Sequence, residues 1–177
     1  YRGAYGAAGE IGHITIEPDG LRCGCGNYGC LEQMASRTAI AKELVGLAMQ
    51  GQAPTILEEA GTDISRVKSK TILKAVKAGE KAVMEVVLRA ARYMGMGLAT
   101  AVNIFNPEVI ILGGGLIEKL GDFYVHEAER AMHVHAMKGP ASQVVVRQAE
   151  LEDDAAVVGV AALAREFATQ DRAKEAP

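Results

Sequence analysis

Three cysteines lie within eight residues of this 177-residue chain, Cys23, Cys25 and Cys30, and there are no others. Glycines fill much of the segment and permit the tight, partly left-handed backbone that a metal knuckle needs. His13 lies ten positions before Cys23 and adds an imidazole to the three sulfurs. These donors form a complete tetrahedral Cys₃His set of the kind that binds zinc. The segment therefore predicts a structural Zn²⁺ held by His13, Cys23, Cys25 and Cys30.

Other interpretations of the cysteines remain open. A disulfide is disfavoured by their odd number and by the reducing compartment expected below, and buried structural thiols rarely cluster in glycine-rich loops. The fourth zinc ligand is less constrained than the sulfurs, because a water or another side chain could replace His13. With four protein ligands the metal has no open position for an activated water, so we expect it to be structural.

Composition and charge exclude several function classes. The chain is 49% hydrophobic and 23% charged, which suits one soluble domain, or two small lobes, that buries roughly 70% of the extended surface. Its 19 basic and 22 acidic residues give a net charge of −3 without a basic cluster, which argues against nucleic-acid or anionic-membrane binding by this piece. No apolar run approaches the ~18 residues of a membrane span, and no signal peptide is visible. We expect a cytoplasmic protein.

Hydrophobic periodicity predicts an α/β layer architecture, because strands alternate with helices. Residues 1–12 and 21–29 are predicted to be glycine-rich loops. The predicted strands and helices are these: strands at 13–17, 109–112 and 143–147, and helices at 36–49, 67–77, 83–105, 122–137 and 154–167. The apolar run 109–112 is typical of a strand buried on both faces, and it leads directly into Gly113, Gly114 and Gly115.

The longest predicted helix contains two glycines, Gly95 and Gly97, and ends before Asn106-Pro107. Each glycine costs up to about 1 kcal/mol relative to alanine within a helix. We therefore expect close packing against a neighbouring element or a ligand at this point of the helix.

Two carboxylates flank the predicted zinc site. Glu10 lies three residues before His13, and Glu32 lies two residues after Cys30. Carboxylates and an imidazole at one rigid corner are suited to the hydroxyls of a polyol. On spacing alone, solvated surface glutamates explain these residues equally well.

The ordered motif Gly9-Glu10-Ile11-Gly12-His13, followed by the segment Cys23 to Glu32, closely resembles the signature of the ROK family, which contains bacterial sugar kinases, repressors and uncharacterised relatives. The segment Asn103 to Gly115 is similar to the family's segment near the nucleotide, and Leu151 to Leu163 is similar to its final helix. The resemblance thus extends over most of the chain.

The resemblance implies a fold and a set of site residues. The chain would be the C-terminal lobe of an actin/hexokinase-like (ribonuclease H-like) ATPase fold with a zinc-binding loop. Its segments would be a sugar- and zinc-binding loop region at 1–35, helices and short buried strands at 36–168, and a frayed tail at 169–177. The implied roles are sugar binding by Glu10, His13 and Glu32, zinc binding by His13, Cys23, Cys25 and Cys30, and nucleotide binding by Gly113, Gly114 and Gly115.

The glycine triplet is weak evidence when taken alone, since a plain strand-to-helix turn would explain it about as well. No G-x-x-x-x-G-K sequence is present, which excludes a P-loop enzyme on motif grounds. His126, His133 and His135 share one predicted helix and are interpreted as surface residues, because no partner follows at ligand spacing.

The resemblance also implies a function, namely ATP-dependent phosphorylation of a hexose, as in a glucokinase or fructokinase, with ATP and Mg²⁺ as co-substrate. The family's Asp-x-Gly-x-Thr phosphate loop and catalytic aspartate have no counterpart here. Because the chain begins at Tyr1 within a glycine-rich segment, we expect a fragment that lacks the N-terminal lobe, contains no catalytic residue and is inactive alone.

Two other functions remain open, the sugar-sensing domain of a ROK repressor and a stand-alone zinc-stabilised binding module. A homodimer is expected from the family. The particular sugar is not readable from the sequence.

Overall fold

The structure is a computed structural model that describes residues 2–151 and 154–175, with side chains up to residue 167. Two 3₁₀ turns, Ile11–His13 and Ile64–Arg66, accompany the regular elements. In chain order these elements are α1 Leu31–Ala35, α2 Arg37–Met49, α3 Pro54–Ala60, α4 Ser69–Lys77, α5 Lys81–Phe105, β1 Val109–Leu112, α6 Gly115–Leu120, α7 Asp122–His135, α8 Lys138–Ala141, β2 Val145–Gln148 and α9 Ala155–Glu175. None of the described helices is long and apolar enough to cross a membrane.

The predicted long helices are confirmed, and α2 begins as expected at Ser36. The Ser36 hydroxyl accepts a hydrogen bond from the backbone N–H of Ala39 at 3.1 Å, which satisfies one of the free donors of the first turn. The short helices α1, α3, α6 and α8 were not predicted. Helix α9 continues past the predicted end at Phe167 to Glu175.

Helix α5 is the centre of the fold and packs against α1, α2, α4 and α7. A Cβ at Gly95 would lie 2.4 Å from the carbonyl oxygen of Ala128 in α7, and one at Gly97 would lie 2.5 Å from a methyl group of Leu31 in α1. The expected close packing is therefore confirmed at both glycines. Asn106 adopts a left-handed conformation with φ of 44° and ends the helix.

Strands β1 and β2 form a parallel two-stranded sheet, joined through α6, α7 and α8. The crossover agrees with the predicted α/β architecture. The prediction that β1 is buried on both faces is wrong for the described residues. Leu112 is buried, but Ile111, on the opposite face, is 67% exposed, because the helices cover only one side of the sheet.

The predicted strand at residues 13–17 is also wrong. His13 ends a 3₁₀ turn, and only an isolated bridge pairs Thr15 with Cys30. The backbone N–H groups of Ile16 and Glu17 both donate to the carbonyl of Gly29, at 2.8 and 3.2 Å. This shared acceptor curls the chain across the cysteine segment, so residues 13–17 do not extend along a neighbouring strand.

An ion-pair network joins α5 to α7 and predicts acid sensitivity. Glu127 accepts hydrogen bonds from Arg130 at 2.8 Å and from Arg92 at 3.1 Å, and these interactions lower its pKa from 4.5 to about 2. A lowered folded-state pKa gives stability that is present above pH ~4.5 and is lost as the pH falls towards ~2. We expect Glu127→Gln to remove about 1–2 kcal/mol of unfolding free energy at pH 7 and about a quarter of that at pH 2.5.

Urea unfolding at the two pH values measures this difference. Glu129→Gln, on the same helix but without an ion-pair partner among the described residues, is the control. An equal loss at both pH values would exclude the electrostatic origin.

Candidate functional site

The segment from His13 to Cys30 folds into a knuckle held by backbone hydrogen bonds. The N–H of Cys23 donates to the carbonyl of Asn27 at 2.7 Å, and the N–H of Gly26 donates back to the carbonyl of Cys23 at 3.0 Å. Gly29 has φ of +64°, and a Cβ there would lie 1.5 Å from the carbonyl oxygen of Glu17. Glycine is therefore required at position 29.

The knuckle brings together the four residues predicted as zinc ligands. One donor atom from each of His13, Cys23, Cys25 and Cys30 lies within 4.8 Å of the others. The sulfurs of Cys25 and Cys30 are 3.6 Å apart, and the Cys23 sulfur is 3.7 Å from Nδ1 of His13. Tetrahedral Zn–S bonds of about 2.3 Å place sulfurs about 3.8 Å apart. Donor type and spacing therefore both fit zinc.

The thiols of the cluster differ in acidity. Hydrogen bonding lowers the pKa of Cys23 to about 7, and the largest contribution comes from the backbone N–H of Cys25. Burial, together with the neighbouring sulfurs, raises the pKa of Cys30 to about 12. Three adjacent thiolates repel one another unless a cation is present. Metal binding at this cluster would therefore release protons and weaken as the pH falls.

The imidazole of His13 connects the sulfur cluster to a carboxylate. Its Nδ1 faces the sulfur of Cys23, whereas its Nε2 lies 3.8 Å from the Oε2 atom of Glu32. Both side chains remain partly exposed, so their polar atoms are accessible to a ligand. Glu10 lies beside the 3₁₀ turn that contains His13, but its carboxylate makes no hydrogen bond or ion pair within the described part of the chain.

Two supporting contacts at the knuckle were not predicted. The side-chain amide of Gln33 in α1 lies 3.9 Å from the Cys23 sulfur, and the hydroxyl of Tyr93 in α5 donates to the carboxylate of Glu17 at 2.9 Å. The first contact lies next to a predicted ligand, and the second ties the knuckle to the central helix. Nothing in the local sequence around Tyr93 signals a partner so far away along the chain.

A second candidate site surrounds the glycine triplet. Gly113, Gly114 and Gly115 line a pocket of about 280 Å³ together with Ala35, Arg37, Ser69 and Tyr124, among other residues. Gly114 has φ of +100°, so this turn presents bare backbone to the pocket. Arg37 and Ser69 were not predicted, because their distance from the triplet in sequence conceals their proximity.

The short helix α1 links the two sites. Glu32, in its first turn, faces His13, and Ala35, at its end, lines the glycine pocket. Three residues of helix rise by only ~4.5 Å. The cysteine knuckle and the glycine turn are therefore close neighbours in the fold.

Comparison with known proteins agrees with the motifs. The sequence pattern of the ROK family matches residues 1–167. The chain belongs to the ROK family. It is 35% identical over 171 residues to a glucokinase of Streptomyces coelicolor, covering 93% of this chain and 53% of that protein. It is also 33% identical over 163 residues to the DNA-binding transcriptional dual regulator NagC of Escherichia coli, covering 92% and 38%.

A solved ROK structure has a similar fold. The ROK family glucokinase from Streptomyces griseus, in complex with glucose and AMPPNP, matches with a TM-score of 0.78 at 32% identity, covering 94% of this chain and 54% of that one. The chain thus spans between 38% and 54% of the length of these ROK relatives. Kinases and regulators both occur among them.

Proposed function

We propose that this chain is the C-terminal, actin/hexokinase-like lobe of a ROK sugar kinase and supplies a zinc site with parts of the hexose and ATP sites. The observation that carries the proposal is the placement of His13. One ring nitrogen lies in the sulfur cluster, and the other faces Glu32. A single imidazole therefore joins the candidate zinc-binding cluster to an accessible polar corner formed by His13 and Glu32.

Chemistry at this corner suits a sugar. Bound Zn²⁺ would supply rigidity, because a metal on Nδ1 fixes the ring orientation and leaves the proton on Nε2. Nε2–H of His13 then donates to a sugar hydroxyl oxygen, and the carboxylate of Glu32 accepts from a hydroxyl. Glu10, which directly precedes the 3₁₀ turn that contains His13, is proposed as a third ligand of the same hexose.

The pocket at Gly113, Gly114 and Gly115 is the proposed ATP site. Its backbone groups allow close approach of a nucleotide, and Arg37 contributes a cation near the place where phosphates would lie. Phosphoryl transfer also needs a base to accept the hydroxyl proton and a second phosphate-binding loop. Because no residue of the described site takes these roles, we propose that the chain binds ligands but does not phosphorylate alone.

Sugar binding is tested by substitution of Glu32. Titration calorimetry of the zinc-loaded chain is expected to show glucose or N-acetylglucosamine binding that weakens about 10- to 100-fold in Glu32→Gln, since a hydrogen bond to a charged acceptor contributes about 1.5–3 kcal/mol. Glu58→Gln, an exposed carboxylate on α3, is the matched control. Equal affinities in both variants would contradict the sugar site.

A repressor origin is the second candidate, and the 33% identity to the NagC regulator supports it as the 35% identity to a glucokinase supports the kinase. In a repressor, the same residues would bind the sugar as a signal and would not position it for phosphoryl transfer. Hexose-dependent ATP consumption by the parent protein supports the kinase. Sugar-dependent release from DNA without ATP consumption supports the repressor.

A further inference from the structure

The three sulfurs of the cysteine cluster differ sharply in accessibility. Cys23 and Cys30 are 4% and 0% exposed, whereas Cys25 lies exposed at the outer edge of the knuckle. An oxidant arriving from solvent therefore reaches Cys25 first. The buried sulfur of Cys30 lies 3.6 Å from that of Cys25, so the first sulfur to be oxidised has a cysteine partner close enough for a disulfide to form after a small movement.

We propose that Cys25 is an oxidation site for peroxides and that Cys30 resolves it to a disulfide, with loss of the metal. The Cys25 thiolate attacks hydrogen peroxide, which gives a sulfenic acid and hydroxide. The Cys30 sulfur, which bound Zn²⁺ would hold as the thiolate, then attacks the sulfenic sulfur, forms the S–S bond and expels a second hydroxide. Two thiolates lose two electrons in total, and the peroxide gains them.

Geometry favours Cys30 over Cys23 as the resolving thiol. The Cys23 sulfur contacts two side-chain groups, Nδ1 of His13 at 3.7 Å and the amide of Gln33 at 3.9 Å, whereas the Cys30 sulfur contacts one further group, the backbone carbonyl of His13 at 3.7 Å. The Cys25 and Cys30 sulfurs need to close from 3.6 Å to a bond of about 2.05 Å. This movement lies within the knuckle and the start of α1, and it leaves α2, α5 and α7 in place.

Disulfide formation would disrupt the proposed sugar site at His13 and Glu32. Only His13 and Cys23 would remain as zinc donors, which is too few for a structural site. Cys30 directly precedes α1, the helix that carries Glu32, so its movement displaces that carboxylate from His13. This inference rests on the proposed zinc and sugar sites and adds peroxide control to them.

The test is peroxide titration of the zinc-loaded chain, with released Zn²⁺ followed by a colorimetric chelator. We expect one Zn²⁺ to be lost for each Cys25–Cys30 disulfide, with reversal by dithiothreitol and added Zn²⁺. Trypsin leaves all three cysteines on one peptide, because no lysine or arginine lies between Arg22 and Arg37. Cleavage after Tyr28 separates Cys30 from the other two, and fragmentation of the linked peptides identifies the partner.

Each outcome decides the proposal. A disulfide to Cys23, over-oxidation without a disulfide, or retention of Zn²⁺ after oxidation would overturn it. The test variant Cys25→His replaces the exposed thiol with another zinc donor. Once metal analysis shows that it is zinc-loaded, it should keep Zn²⁺ at peroxide concentrations that empty the unsubstituted chain, and equal Zn²⁺ loss from both chains would overturn the role of Cys25. A chain that binds no Zn²⁺ contradicts the zinc site itself, whereas one that binds and keeps it contradicts this inference alone.

Discussion

Gly95→Ala is expected to lower the free energy of unfolding by about 2–3 kcal/mol, although alanine is the better helix former. The added methyl carbon would lie 2.4 Å from the Ala128 carbonyl oxygen, 2.5 Å from the Ala131 Cβ and 2.9 Å from the Met132 nitrogen. Two of these atoms belong to the α7 backbone and cannot rotate away. Helix α7 must therefore shift as a unit, which disturbs its interface with α5. Urea unfolding followed by circular dichroism measures the loss.

Alanine substitutions at two other glycines serve as comparisons for Gly95→Ala. Gly46 lies inside α2, and apart from its chain neighbours and the backbone of its own helix, nothing lies within 4 Å of the position that an alanine methyl group would take there. Gly46→Ala should therefore add about 0.5–1 kcal/mol through helix propensity. Gly97→Ala meets only the end of the flexible Leu31 side chain and should fall between the two. Equal effects at Gly46 and Gly95 would show that α5 and α7 are not packed at backbone distance.

Local pattern was sufficient for much of this fold. The apolar spacing of α5 and the stop at Asn106 depend on neighbouring residues, and both were predicted from them. Burial of β1 depends on which elements cover each sheet face, and the apolar run alone does not contain that information. The curl at residues 13–17 depends on an acceptor, Gly29, that lies a dozen residues downstream.

In the candidate site, too, contacts between residues close in sequence were predicted and contacts between distant residues were not. The cysteines and His13 are close in sequence, so their spacing predicted the cluster that the structure assembles. The contact between Tyr93 and Glu17 spans 76 residues, and the approach of Arg37 to the glycine turn depends on the packing of whole helices. No short motif records either contact. The roles of Glu10 in sugar binding and of the glycines in nucleotide binding stay predictions.

Cys30→Ser is expected to weaken Zn²⁺ binding by well over the ~100-fold that marks the loss of an outer-shell partner. Serine replaces a fully buried sulfur at the point where the knuckle joins α1. The contiguous hydrophobic core begins at Ile40 and does not include the knuckle. Metal loss should therefore unfold residues around the cluster while α2, α5 and α7 keep their helical signal. Competition with a chromophoric chelator gives the affinity, and circular dichroism gives the helix content.

Gln33→Ala provides the matched comparison, because it removes the amide beside the Cys23 sulfur and leaves all four donors in place. Its expected cost is about tenfold in Zn²⁺ affinity. Hexose affinity should fall together with Zn²⁺ affinity in both variants, since His13 keeps its orientation toward Glu32 only while the metal holds its Nδ1. Hexose binding that survives in Cys30→Ser would mean that the packing of α1 against α5, through Leu31 and Gly97, positions the polar corner without the metal.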